Sequence, residues 1–305
     1  MSRLASLAAM ALAAFVCGVA LADAPPAPGA FASVAVNGVR LHYVERGAGE
    51  PVIFVHGALD DYREWEPVAR SFPGSYRVIT YSRRYNFPND NSLAPGDHSA
   101  LVEARDLAAL IRALHAGPAH IVGASYGAYT ALLLAIREPR LVRSLTLVEP
   151  PLVGWLPDLP GGRELRDAFL RGMWRPSGDA FRQGEWVRAI RIAFDYFGGP
   201  GGFDKLPVRV QAAVLANALE WRALTLSADA FPEVTRAQVR AIRVPVLMIS
   251  GGRTFPMLKL TDAALVRELA DGRRVIVPDG THEVCSEQPS TCAARIRGFL
   301  AAVRR

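Results

Sequence analysis

AHIVGASYGAYT, Ala119 to Thr130, is the stretch on which the reading of this chain turns. Its first half is a near-continuous apolar run, the pattern of a strand buried on both faces. Its second half opens a helical pattern that runs from Tyr126 to Arg137. Between them stands Gly123-x-Ser125-x-Gly127. A serine on so sharp a strand-to-helix turn has its hydroxyl presented above the sheet, and the residues two before and two after it must be small for strand and helix to approach. The alternative is an ordinary joint with a solvated serine. The strand before and the helix after favour a nucleophile at Ser125.

Other apolar runs lie on both sides of this one. SVAVNGVRLHYVERG reads as a hairpin turning at Asn37-Gly38. PVIFVHG, YRVITYS, RSLTLVE, VPVLMISGG and RRVIVPDG read as further buried strands. Helical patterns separate them: Ser99 to His115, with Leu107, Leu110, Ile111 and Leu114 at helical spacing, then Ala263 to Ala270 and Cys292 to Val303. Strand-helix alternation predicts an α/β fold, a mostly parallel sheet flanked by helices. From Pro151 to Ile242 no buried strand is evident. This segment holds Trp155, Trp174, Trp186 and Trp221, four of the five tryptophans, and reads as a helical cap inserted between sheet strands. The expected organisation is a core of residues 33–150 and 243–305 with a cap of 151–242.

The 305 residues are half hydrophobic and about a fifth charged, which excludes a disordered chain. Arg3, the apolar run Leu4 to Val19 and the small-x-small Ala20-Leu21-Ala22 form a signal segment, residues 1–22, followed by a Pro-rich tail, 23–32. An uncleaved anchor is the alternative, although the run is short for a spanning helix. Cleavage removes Arg3 and no acid, so the net charge falls from +6 to +5. The basic residues are scattered, which argues against a nucleic-acid partner. A periplasmic or secreted location follows, with no stable membrane insertion after cleavage. Cys285 and Cys292 then remain as a pair, and an even pair in an exported protein suggests a disulfide, two free thiols being the other possibility.

Two further stretches carry chemistry. VIFVHGALDD leads a strand through His56-Gly57 into a polar loop. Acyl transfer needs two N–H donors aimed at the developing oxyanion, and Ala58 and Tyr126 are the expected pair. VIVPDGTHEV places His282 in the loop after the last strand. A general base must titrate near working pH, and His282 is the histidine in position to do so. His42, His98, His115 and His120 have no such context.

Taken together, the His-Gly loop, the Gly-x-Ser-x-Gly turn, the inserted cap and the late histidine resemble the α/β-hydrolase superfamily over roughly residues 33–304. The resemblance implies a serine hydrolase, most often an esterase, acting on a small molecule with no metal or organic cofactor. Three departures stand out. Ala124 precedes the serine where many relatives carry a bulkier residue. In YSRRYNFPN, Arg83 fits the usual basic position while Tyr81 takes the acidic one. Thr254 stands where many relatives carry the acid of the catalytic triad.

The acid must then come from elsewhere. RSLTLVE ends in Glu149, before Pro150 and Pro151, and should end on the same edge of the sheet. Glutamate is one carbon longer than aspartate, which suits a reach from the neighbouring strand, and some α/β hydrolases place a Glu acid there. Asp262 reads as a helix start and Asp279 lies too close to His282 in sequence. Glu149 could alternatively cap the strand or pair with an arginine. The cap's aromatic residues suit an apolar substrate, with Trp155, Trp186 and Trp221 as candidate contacts, unless they simply build the cap's own core. A small ester or related carbonyl compound is the expected substrate. Carbon–carbon bond hydrolysis, cofactor-free oxygen chemistry and a non-catalytic binding protein are the alternatives on the same scaffold. Oligomeric state is left open.

Overall fold

A computed structural model of the protein describes residues 31–94 and 98–303. The expected signal segment, and the tail as far as residue 30, lie outside the described residues. The strands are β1 (Phe31–Val36), β2 (Val39–Arg46), β3 (Glu50–Val55), β4 (Tyr76–Tyr81), β5 (Ala119–Ala124), β6 (Val142–Val148), β7 (Val246–Gly251) and β8 (Gly272–Val277). The helices are α1 (Glu66–Ala69), α2 (Ala100–Ala113), α3 (Ser125–Arg137), α4 (Gly162–Phe169), α5 (Arg175–Arg182), α6 (Trp186–Gly198), α7 (Val208–Ala216), α8 (Ala218–Thr225), α9 (Arg236–Arg240), α10 (Pro256–Glu268), α11 (Val284–Glu287) and α12 (Pro289–Val303).

The eight strands form one sheet in the order β1-β2-β4-β3-β5-β6-β7-β8. β2 is antiparallel to both of its neighbours, and β3 to β8 are parallel. The two-residue turn from β1 to β2 is Asn37-Gly38, both at positive φ, as a tight hairpin of right-handed twist requires. Every residue of β5 is buried, and successive residues serve opposite layers. Ile53, Val55 and Ile121 pack with α2 and α3, while Val52, Phe54 and Val122 pack with α1 and α12. That two-sided burial explains why these strands read as unbroken apolar runs.

Strand order reverses between β3 and β5, and in such sheets the crevice outside the carboxyl ends at the reversal is where ligands bind. The loop after β3 and the serine after β5 both open into it. Between β6 and β7 the described chain is helical, α4 to α9, with one wider π turn at Leu170–Trp174. The end of this segment is held by three side chains, two from α3 beneath it and one from its own start. Tyr126 Oη donates to Ala230 O (2.6 Å), Tyr129 Oη to Pro232 O, and Trp155 Nε1 to Val234 O (2.6 Å).

Several boundaries differ from the sequence reading, among them the starts of β1 and α10. β1 begins at Phe31, two residues into the expected tail, because Phe31 already pairs with Val44. α10 begins at Pro256 rather than near Ala263. Proline is pre-set for the first helical position, and the residue before it, Phe255, stays extended. Asp262 therefore sits inside the helix, fully buried, and not at its start. Cys285 and Cys292 form a disulfide that joins α11 to α12 just beyond the His282 loop.

Candidate active site

Ser125 sits at the joint of β5 and α3 with φ +48°, a left-handed backbone that a serine adopts only where its surroundings force it. Sterics show why the flanking positions are glycine. A Cβ on Gly127 would lie 2.3 Å from His56 O, and one on Gly123 2.6 Å from Gly127 O. Leu59, in the loop after β3, and Glu149, directly after β6, share this unusual conformation, at φ +62° and +50°. Among the described residues, three of the five non-glycine positions with positive φ thus surround one point at the carboxyl edge of the sheet. Such clustering of backbone strain is typical of functional sites.

At that point the side chains form a continuous hydrogen-bonded chain. Ser125 Oγ lies 3.0 Å from His282 Nε2, and His282 Nδ1 lies 2.6 Å from Glu149 Oε2. Glu149 is fully buried. Its Oε1 accepts from the Gly251 amide (2.7 Å) and its Oε2 also accepts from Thr254 Oγ1 (2.6 Å). Burial alone would lower the pKa of His282. The hydrogen bond to Glu149, then the charges of Glu283, Glu149 and Asp262, outweigh it and hold the imidazole above its ordinary value.

The loop after β3 is held open-handed towards Ser125. The amides on either side of Ala58 are taken by carboxylates, Gly57 N by Glu64 Oε2 (2.7 Å) and Leu59 N by Glu220 Oε2 (3.0 Å). Tyr126 lies in the first turn of α3, where amides have no partner within the helix. His56 is fully buried between Gly57 O, 2.8 Å from its Nδ1, and the Arg83 amide, which donates to its Nε2 at 2.9 Å. Burial, then the Arg83 charge, push its pKa down to about 3, so it stays neutral and braces the loop.

Arg83 is the hub beneath this loop. Its guanidinium donates to His56 O and Gly57 O (3.2 and 3.0 Å) and pairs with Glu103 (3.1 Å) and Glu220 (2.6 Å), all three side chains being fully buried. Burial would raise the Glu103 pKa, but the Arg83 charge and the His98 bond bring it down to about 2. Glu220 lies on α8, so one carboxylate links the helical segment, Arg83 and the Leu59 amide. The usual acidic partner at position 81 is replaced by glutamates arriving from α2 and α8. Replacing Arg83 by Met leaves two buried carboxylates without their countercharge and should cost about 3–5 kcal/mol of stability. Chemical denaturation checks this, and a loss below about 1 kcal/mol would show that the network does not hold the loop.

The three candidate tryptophans lie in three different settings. Trp155 lines a groove with Tyr129, Leu152, Asp158 and Pro232, under the Arg236 guanidinium, where its N–H anchors Val234. Trp186 is 40% exposed, edge-on to Phe181 with Arg222 over its ring. Both make local packing contacts, which was the alternative to a substrate contact. Trp221 meets Trp174 edge-on at 5.1 Å, in a ring cluster that continues through Phe231 to Tyr126. The ring beside His282 is instead Phe255 (5.8 Å between centroids), which touches Phe197 of α6 at 4.6 Å. Glu64 was also not legible. Burial, then the charge of Glu283, push its pKa up to about 8. Asp262 is pushed up to about 7 by burial, with the charge of Glu149 adding to this against the Ser250 bond. Among the described residues no cluster of three or more His, Cys, Asp or Glu side chains is arranged to hold a metal ion.

Comparison with known proteins agrees with this architecture. The α/β hydrolase family model matches residues 52–295. BpoC of Mycobacterium tuberculosis, described as a candidate non-heme bromoperoxidase, is 28% identical over 87% of this chain and 99% of its own length. Among solved structures, an esterase from Thermogutta terrifontis superposes with a TM-score of 0.70 at 21% identity, over 90% of this chain and all of that one. Carboxylesterase CesB from Bacillus subtilis superposes with a TM-score of 0.65 at 18% identity, over 91% of this chain and 93% of that one. These two likenesses establish the fold. With the family match spanning most of the sheet, the Ser125 turn and the His282 loop, the chain belongs to the α/β hydrolase family.

Proposed function

We propose that this protein is a serine hydrolase acting on a small, apolar ester or related carbonyl compound through an acyl-enzyme. The observation that carries the reading is the chain Ser125–His282–Glu149, with separations of 3.0 and 2.6 Å. His282 Nε2 takes the Ser125 proton as Oγ attacks the carbonyl carbon, and Glu149 holds the other ring N–H and stabilises the imidazolium. The amides of Ala58 and Tyr126 receive the developing oxyanion. His282 returns the proton to the leaving alcohol, and a water activated by the same imidazole then releases the acid. Phe255 beside His282, with Phe197 packed against it, favours an apolar group on the substrate. The reading has the chain exported, its leader removed after Ala22, and the Cys285–Cys292 bond supports an oxidising compartment.

A fluorophosphonate probe should label Ser125 in the purified mature protein, and short p-nitrophenyl esters should turn over. Catalysis needs neutral imidazole, and the His282 pKa is raised. The acidic limb of kcat/KM should therefore lie above the ordinary histidine value, with activity falling as pH drops through it. No labelling and no ester turnover would overturn the proposal. The near full-length match to BpoC favours a second reading, oxygen chemistry without a bound cofactor. Bromination of a dye by bromide and hydrogen peroxide, with no ester turnover, would select it.

A further inference from the structure

We propose that Thr254 is a positioning residue: its hydroxyl, together with the Gly251 amide, fixes the Glu149 carboxylate at the angle His282 requires. The proposal rests on the Ser125–His282–Glu149 reading. Glu149 reaches the imidazole from the end of β6 with one more rotatable bond than an aspartate has. A buried carboxylate on so long an arm needs donors on both oxygens to hold one orientation. Gly251 N supplies one to Oε1 at 2.7 Å. Thr254 Oγ1 supplies the other at 2.6 Å, to the same Oε2 that faces His282 Nδ1. Hydrogen bonds to an ionised acceptor are short and strong, and two donors converging on one oxygen leave it little freedom to swing.

The turn that carries Thr254 is itself referenced to the histidine loop. Gly252 N donates to Val277 O (2.7 Å) and Arg253 N to Gly280 O (2.9 Å). The approach is too close for side chains: a Cβ on Gly251 would lie 2.2 Å from Thr281 O, and one on Gly252 2.2 Å from Pro278 O. Residues 251–254 thus touch the backbone leading to His282 on one side and the Glu149 carboxylate on the other. They set the distance between acid and base. Thr254 is 4% exposed, so water does not substitute readily for its hydroxyl. The position where relatives carry the acid here carries the group that holds a displaced acid in place.

The test is a cycle of variants assayed on p-nitrophenyl butyrate. Thr254→Val keeps the shape and removes the donor. It should lower kcat about tenfold or more, since small misplacements of catalytic groups carry penalties of that size, with KM nearly unchanged. Thr254→Ser keeps the hydroxyl and should stay within about twofold of the parent. Thr254→Val should cost little when added to Glu149→Gln, because its effect runs through the carboxylate. Thermal unfolding establishes that each variant is folded, and Thr254→Ala, which introduces no bulk, takes the place of Thr254→Val if that variant is not. If Glu149→Gln is crippled while Thr254→Val and Thr254→Ala match the parent, or if the two losses are additive, the positioning role is overturned and the triad stands. If Glu149→Gln itself matches the parent, the triad reading falls and this inference with it.

Discussion

Ser125→Ala and His282→Ala should each lower kcat on short p-nitrophenyl esters by about three orders of magnitude or more, with the fold intact. Both expectations follow from the local geometry. The Ser125 backbone already sits at φ +48°, and alanine there bears the same strain as serine. Removing the hydroxyl takes away the proton donor that faces His282 Nε2 at 3.0 Å. The His282 side chain is 18% exposed, so truncation opens the site to water and not a sealed cavity. Glu149 keeps its bonds to Gly251 and Thr254 in that variant. Nucleophile and base act as one unit, so the double variant should be hardly slower than either single one. Circular dichroism and denaturation establish that the variants fold, and steady-state kinetics with titrated active sites gives the rates. A folded Ser125→Ala protein with near-normal turnover would remove Ser125 from the mechanism.

How much of this could be read from letters depends on how unambiguous each physical demand is. The turn at Ser125 leaves a signature because two close approaches tolerate only glycine, at positions 123 and 127. The strands leave one because a sheet covered on both faces has no polar side to show. Glu149 was legible by position, as the last letter before Pro150 and Pro151 on a strand that had to end at the same edge. The role of Thr254 was not, because a buried threonine is equally at home against a backbone carbonyl. Glu220 was out of reach for another reason. It lies 137 residues from Arg83, and only the packing of α8 over the His56-Gly57 loop brings the two to 2.6 Å. The tryptophans show the reverse failure. Size made Trp155 and Trp186 candidate substrate contacts but says nothing of which surface they face, whereas the smaller Phe255 gave no signal and stands beside His282.

Glu149→Gln should lower kcat by about three to four orders of magnitude, and the hydrogen bonds around it say how. The Gly251 amide donates to Oε1, so in the variant the glutamine oxygen must face Gly251 and its NH2 must face outward. The reverse orientation sets two donors against each other. Outward, the NH2 meets Thr254 Oγ1, which can turn to accept, and His282 Nδ1, which can accept only when it carries no proton. The imidazole proton is then driven to Nε2, where it faces Ser125 and blocks proton abstraction. The variant therefore keeps its shape and holds the wrong tautomer. Loss of the Glu149 bond and charge also removes two of the causes that raise the His282 pKa, so the acidic limb of residual activity should move to lower pH. A further pair of variants tests the place of the acid. In Glu149→Ala the space beside Nδ1 is cleared, and Thr254 Oγ1 lay within 2.6 Å of the oxygen that filled it. Adding Thr254→Asp offers a carboxylate from the position that relatives use, and should recover at least about tenfold over Glu149→Ala alone. Parent-like kcat in Glu149→Gln would mean that Glu149 is not the acid, and that the bond to His282 serves the fold alone.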